Sequence, residues 1–273
     1  MIKVTVLSDN TLGNNSCLSQ CEHGLSLFIE TPNGKCICDF GASDLYANVA
    51  ESMGINLDEL DFGFVSHGHN DHTGGLEHFL QNFNAKVYIS PDVFSANFIS
   101  SRRQTRDIST DHSLKDRYSE KLSFVKESCW INPDIAIVKT TNLIYDTPQG
   151  NKFLLKEREG VLEADNFSHE LSLAFKTNFG LVIVSSCSHL GMLNIINSAT
   201  QFTGVQQVAA FIGGLHLIDG FDEEADLLCK TTTELYPNIK IITGHCTGDI
   251  AKSKLSKILN LELFSVGAIF TII

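Results

Sequence analysis

The sequence predicts a protein that mixes helices with sheet, of α/β or α+β class, and three observations predict it. The first forty residues are strand-like, apolar strands alternate with helical stretches towards the far end, and no tandem repeat or Pro-, Gly- or Ser-rich linker divides the chain. KVTVLS alternates weakly as a strand, LSLFIET ends at the turn PNG, and KCICDFG follows. Residues 43–56 read as a helix with Gly54 as its stop signal. DFGFVS is a short apolar strand before a histidine-rich loop and the helical stretch GGLEHFLQNF, and KVYISP is the next strand. Residues from about 95 to 130 are charged and lack apolar periodicity, as in an inserted, mobile or lid-like segment. From residue 131, IAIVKTT and NLIYDTP read as strands, and LSLAFKT, the turn NFG and LVIVSSC form a hairpin. NIINSATQF, DEEADLLCKTTTELY and IAKSKLSKIL read as helices, separated by the strands VAAFIGG and IKIITG and followed by a final strand, LFSVGAIFTII. One domain over residues 1–273, with the inserted or lid-like segment at about 95–165, is the economical organisation.

Composition narrows the function classes. A chain of 273 residues with 43% hydrophobic residues can bury a large core. A formal net charge of −12 repels nucleic acid and anionic membrane surfaces on average, so neither is an expected partner. No stretch reaches the ~18 apolar residues of a membrane span, and the start MIKVTVLSDN lacks a signal-peptide core, so a cytoplasmic location is expected. Without export, the eight cysteines read as buried thiols or metal ligands rather than disulfides. Cys17, Cys21, Cys36 and Cys38 lack the paired spacing of a zinc ribbon and are expected to be structural.

The chemistry concentrates in Ser66-His67-Gly68-His69-Asn70-Asp71-His72-Thr73-Gly74-Gly75. Four metal-competent side chains lie within six residues, on a strand-to-helix turn, and such a set suits a borderline cation. A single histidine there would read as a solvated loop residue; four donors together do not. Gly74 and Gly75 are expected to keep the start of the helix open to substrate. Later strands lead into Cys187-Ser188-His189, into His216 and into His245-Cys246-Thr247-Gly248, and strand ends on one sheet edge are where α/β proteins gather their sites. Taken singly, His216 could be a hydrogen-bonded structural residue and Cys246 packing.

SHGHNDHTGGL resembles the His-x-His-x-Asp-His motif of the metallo-β-lactamase superfamily. LSDN at 7–10, EHGLS at 22–26, DFG at 39–41, CSHLG at 187–191, GGLHL at 213–217 and GHCTG at 244–248 resemble the branch of 7,8-dihydropterin-6-methyl-4-(β-D-ribofuranosyl)aminobenzene-5′-phosphate synthase-like proteins. The resemblance implies a four-layer αββα sandwich holding two divalent metal ions, zinc first, with iron or manganese as alternatives. It places His67 and His69 on one metal, Asp71 and His72 on the second, and His245 as the last ligand of the second. Cys187 stands where many relatives carry a bridging Asp. The family's third histidine for the first metal is missing from its usual turn, so His189, ahead of His169, is expected to supply it. The di-iron relatives that reduce oxygen or nitric oxide carry Glu where this chain has His69, and no flavodoxin-like extension is present, which favours hydrolysis.

The activity implied is a hydrolase using a metal-bridged hydroxide on a phosphoester, ester or lactone of a small, anionic molecule, with Asp71 bonding the hydroxide and His216 giving a proton to the leaving group. Backbone N–H groups at Thr247 and Gly248 are expected to receive the anion, against the plainer reading that Thr247 or Asp249 caps the helix that follows. Two other readings stand beside it: a pterin-linked synthase with Phe40, Phe62 and Phe64 lining a slot, or a non-catalytic metal-binding sensor. Specificity is assigned to residues 95–165, where Arg102, Arg103 and Arg106 form either a small anion-attracting cluster or a solvated face.

Overall fold

The computed structural model describes residues 1–14, 18–220 and 222–272, so Cys17 lies outside the described residues. The chain divides into two compact units, one made of Met1–Lys126, Phe153–His169 and Phe264–Ile273, the other of Glu127–Lys152 and Glu170–Leu263.

The first unit is built on a seven-stranded sheet in the order Ile269–Ile272, Ile2–Ser8, Ser26–Thr31, Gly34–Cys38, Phe62–Phe64, Lys86–Ile89, Leu122–Phe124. Hairpin neighbours run antiparallel up to Gly34–Cys38, and every pairing beyond it is parallel. Parallel neighbours need crossovers, supplied here by the helices Leu45–Ser52 and Leu76–Asn82. Their apolar sides close over a buried cluster in which the Phe40 ring lies 4.8 Å from Phe79 and 5.8 Å from Tyr46. Phe40 and Phe64 are fully buried and Phe62 packs edge-on against Tyr88, so these three rings are core and line no slot. Gly74 and Gly75 likewise serve packing. A Cβ on either would collide with the carbonyl of Ala42 or of Phe40 and Ser43, so their role is close backbone approach rather than room for substrate.

A four-stranded antiparallel sheet of Val161–Ala164, Leu154–Arg158, Asn97–Ser100 and Arg106–Asp107 belongs to the same unit. Arg103 and Arg106 are exposed at its turn. The residues just after it are tied to the histidine motif: Ile108 O accepts the Asn70 N–H at 2.8 Å, and Gly68 O accepts the Thr110 hydroxyl at 3.1 Å. The charged stretch therefore holds ordered strands and part of the motif's support.

The second unit carries another seven-stranded sheet, ordered Asn260–Leu263, Lys240–Thr243, Val208–Ile212, Gly180–Val184, Ser172–Thr177, Ile135–Val138, Cys129–Asn132. The first four strands are parallel, with the helices Met192–Thr203, Asp222–Leu235 and Asp249–Leu255 as crossovers. Val184, Ile212 and Thr243 consequently end on one edge, each a few residues before a Cys or His.

Two sequence expectations fail here for physical reasons. NLIYDTP, read as a strand, is a loop because the buried side chain of Asn194 takes over its backbone. Asn194 Oδ1 accepts the N–H groups of Ile144 and Tyr145, each at 2.9 Å, while Nδ2 donates to Tyr145 O at 2.9 Å and Leu190 O at 2.8 Å. The apolar run near residue 265, read as one strand, breaks in two because Val266 and Gly267 donate sideways to Thr11 O and Val6 O, with Gly267 at φ +81°. Among the described residues no helix is long and apolar enough to cross a membrane. Replacing Asn194 by Ala strands four backbone partners, three of them part-buried, so Asn194→Ala is expected to lower unfolding stability by about 1–3 kcal/mol in a urea titration. A loss under about 0.5 kcal/mol would mean that the loop has other anchors.

Candidate metal centre

In the first unit, two neighbouring parallel strands end at Cys38 and Phe64, and the residues that follow form the candidate site. Asp39 is fully buried at φ +61°. Its Oδ1 accepts the Ser66 N–H at 2.7 Å, and its Oδ2 accepts both the Ser66 hydroxyl at 2.6 Å and His72 Nδ1 at 2.8 Å. Because the Ser66 proton goes to Asp39, the 2.8 Å contact from Ser66 Oγ to His67 Nδ1 places a proton on that nitrogen. One carboxylate thus sets the tautomer of two imidazoles, directly for His72 and through Ser66 for His67, and makes Nε2 the electron-pair donor in both.

The rings converge. His67 lies 4.2 Å from His72 and 4.6 Å from His69 between centroids, and His72 Nε2 is 3.7 Å from Asp71 Oδ2. Asp71 also faces the exposed His23, whose Nε2 is 3.4 Å from Oδ2. Burial, reinforced by the neighbouring imidazoles His72, His69 and His169, holds His67 well below the ordinary histidine range. Burial and His169 hold His69 at about 3. Both rings are therefore neutral at pH 7 and able to donate to a metal. His169 is buried rather than exposed, and both its nitrogens are engaged: Nδ1 accepts the Gly68 N–H at 3.0 Å and Nε2 donates to Asp165 Oδ2 at 3.0 Å. That bonding makes it a support of the motif loop. Burial alone would raise the Asp165 carboxyl, but His169 and His69 bring it below its usual range.

In the second unit, ligand atoms of Cys187, His189 and His216 lie within 4.8 Å of one another, and so do those of Cys187, His245 and Cys246. His189 is oriented at both ends. Its Nδ1 meets Asn151 Oδ1 at 3.2 Å while its carbonyl accepts Asn151 Nδ2 at 2.8 Å. The buried Glu170 accepts the N–H groups of His189 at 2.7 Å and Leu190 at 2.8 Å, fixing the CSHLG turn. His216, 4.2 Å from His189 between ring centroids, has a buried Nδ1 with no hydrogen-bond partner, as fits a ligand or proton carrier. Burial alone would push the Cys246 thiol up, yet hydrogen bonds from Cys187 and His216 and the nearby His245 bring it well below the ordinary range. Cys36, buried among apolar residues, is pushed up instead. Four of the seven non-glycine residues with positive φ in the described chain are Asp39, Ser188, His216 and His245, so backbone strain collects where the donors stand. Neutral imidazoles, thiols and carboxylates held in this way fit a borderline divalent ion.

Thr247 departs from expectation. Its hydroxyl meets Thr243 Oγ1 at 2.6 Å and accepts the Leu215 N–H at 3.0 Å, and its own N–H goes to Gly244 O at 2.9 Å. The Thr247 hydroxyl and N–H are therefore both engaged within the protein, and no side chain caps the helix after Gly248, neither Thr247 nor Asp249. Asp39, Asn151, Glu170 and Asp165 were missed as supports. DFG at 39–41 and the Glu of FSHELSL were visible, but nothing in their spacing shows what they bond.

Known proteins resemble this chain throughout. The family model of the metallo-β-lactamase superfamily matches residues 20–104. The 7,8-dihydropterin-6-methyl-4-(β-D-ribofuranosyl)-aminobenzene-5′-phosphate synthase of Methanocaldococcus jannaschii is 30% identical over 262 residues, covering 90% of this chain and 88% of its own. A second, uncharacterized protein of that organism is 26% identical over 100% of both chains. Among solved structures, Tm1679, a metal-dependent hydrolase of the β-lactamase superfamily, is 25% identical with a TM-score of 0.84, covering 100% of this chain and 99% of that one. The α/β sandwich class expected from the motifs is the class of these relatives.

The depressed histidines set a pH dependence. The unfolded chain takes up protons below about pH 6.5, whereas folded His69 does so only near 3. Stability of the metal-free protein therefore falls as pH drops through that window, by about 2 kcal/mol between pH 7 and 5 from His69 alone. Urea titrations should show that fall and show it reduced in His69→Gln; a flat profile would contradict the burial assigned to this ring.

Proposed function

The chain belongs to the metallo-β-lactamase superfamily, in the branch of the dihydropterin–ribofuranosylaminobenzene phosphate synthase, and on that premise we propose that it is a metal-dependent hydrolase of phosphoester, ester or lactone bonds in small molecules. The observation that carries the reading is the Asp39 network, which aims the Nε2 atoms of two imidazoles beside a third, His69, and the Asp71 carboxylate. His67 and His69 would hold one ion, and Asp71 and His72 a second. In the other unit Cys187, His189 and His245 are the proposed donors. Two divalent ions are proposed, zinc first, with iron or manganese as alternatives. When bound, they supply Lewis acidity and a water acidic enough to attack at neutral pH.

The remaining work falls to the chain. Asp71, partly exposed, accepts a hydrogen bond from the attacking water and orients it. His216 gives a proton to the leaving group, a role supported by its unpartnered buried nitrogen. Residues 95–165 are proposed to set substrate choice, since Ile108 and Thr110 bond to the motif loop. A reducing, cytoplasmic compartment is proposed, in keeping with the thiols of Cys21, Cys36, Cys129, Cys229 and Cys246.

The second reading is the relative's own synthase chemistry, favoured by 30% identity over 90% of the chain. Metal analysis paired with turnover of bis-p-nitrophenyl phosphate and a simple lactone separates these readings. About two ions per chain with turnover supports the hydrolase. Bound metal without turnover moves the weight to the synthase, and no metal after reconstitution defeats both. Asp39→Asn should weaken metal binding about 10–100-fold by calorimetry while the circular dichroism stays native. Unchanged affinity would remove Asp39 from the scheme.

A further inference from the structure

The second unit holds more sulfur than the proposed ligand set uses. Cys187 is the shared corner of two donor groups, one with His189 and His216 and one with His245 and Cys246, and in each group the ligand atoms lie within 4.8 Å of one another. Cys246 is 4% exposed and follows the strained His245, at φ +45°. Its sulfur reaches the Cys187 carbonyl at 3.8 Å and lies so close to Gly214 that a Cβ there would crowd it. A buried cysteine is ordinarily a small apolar packing group, as Cys36 and Cys229 are within their sheet and helix. Cys246 instead faces a second thiol and two imidazoles, which is poor packing and a good soft-donor set.

Resting on the metal-dependent reading above, we propose that Cys246 is a metal ligand, so that a metal ion in the second unit is held by two thiolates, Cys187 and Cys246, together with His245. Binding the ion forms two metal–sulfur bonds, any proton still on either sulfur passes to solvent, and no oxidation state changes. Two thiolates narrow the choice of ion: zinc, ferrous iron and cobalt are accepted, while manganese and magnesium, which prefer oxygen donors, are disfavoured.

The test is cobalt(II) reconstitution of the full chain, followed by near-ultraviolet sulfur-to-cobalt charge-transfer absorption, with bound cobalt measured by equilibrium dialysis. Cys246→Ser and Cys187→Ser should each reduce the band per bound cobalt to about half, and Cys229→Ser should leave it unchanged. An unchanged band in Cys246→Ser that still binds cobalt overturns the inference and leaves the metal reading intact. Failure of the wild-type chain to bind cobalt overturns both. X-ray absorption at the cobalt edge of the wild-type protein, with the sulfurs per cobalt multiplied by the cobalt bound per chain, counts the sulfur ligands without any variant. Two sulfurs per chain support the assignment and one refutes it.

Discussion

The candidate site depends on one buried carboxylate. Asp39 has no contact with water and accepts three hydrogen bonds, from the Ser66 amide, the Ser66 hydroxyl and His72. Removing such an acceptor would leave three buried donors without a partner, each costing about 1–3 kcal/mol. The same bonds decide which nitrogen of His67 and of His72 carries its proton. Folding energy and donor chemistry are thus set by one side chain, and the left-handed backbone at Asp39 is the strain accepted to aim it.

Topology explains why the donors come from such distant parts of the sequence. In each unit the strands bearing the donors are parallel neighbours, so their ends share an edge and the turns after them are brought together. Crossover helices enforce that direction, and the core under them is ordinary close packing. The turns are tight. Gly213, at φ +144°, sits where a Cβ would strike the Ser185 carbonyl, and the two loops that lead to His189 and His216 can meet only with glycine there.

Much of this was legible in the sequence. The mixed class followed from the order of strand-like and helical stretches, and the family from HGHNDH with CSHLG, GGLHL and GHCTG. What could not be read was anything that acts at long range in sequence. His169 stood only as a second choice for the missing ligand because its partners, Gly68 and Asp165, are revealed only by folding. Gly74 and Gly75 looked like room for substrate, yet they are where the motif helix meets the backbone near Ala42. NLIYDTP has the composition of a strand, and a single amide side chain fifty residues away makes it a loop. Local pattern predicts elements well, but buried polar side chains that replace ladder bonds leave no periodic signature.

The pairing of Ile2 with Ile272 has a consequence for biosynthesis. The unit that holds the histidine motif is assembled from three separated stretches of chain, and the last of them supplies the strand beside Ile2–Ser8. On the ribosome that strand is missing until residue 272 has been made, so the motif's sheet keeps an open edge up to that point. The second unit, whose sheet lies between residues 129 and 263, has no such delay. A chain released early would therefore carry a complete second unit beside an unfinished motif sheet, the form most exposed to edge-to-edge aggregation and to capture by chaperones.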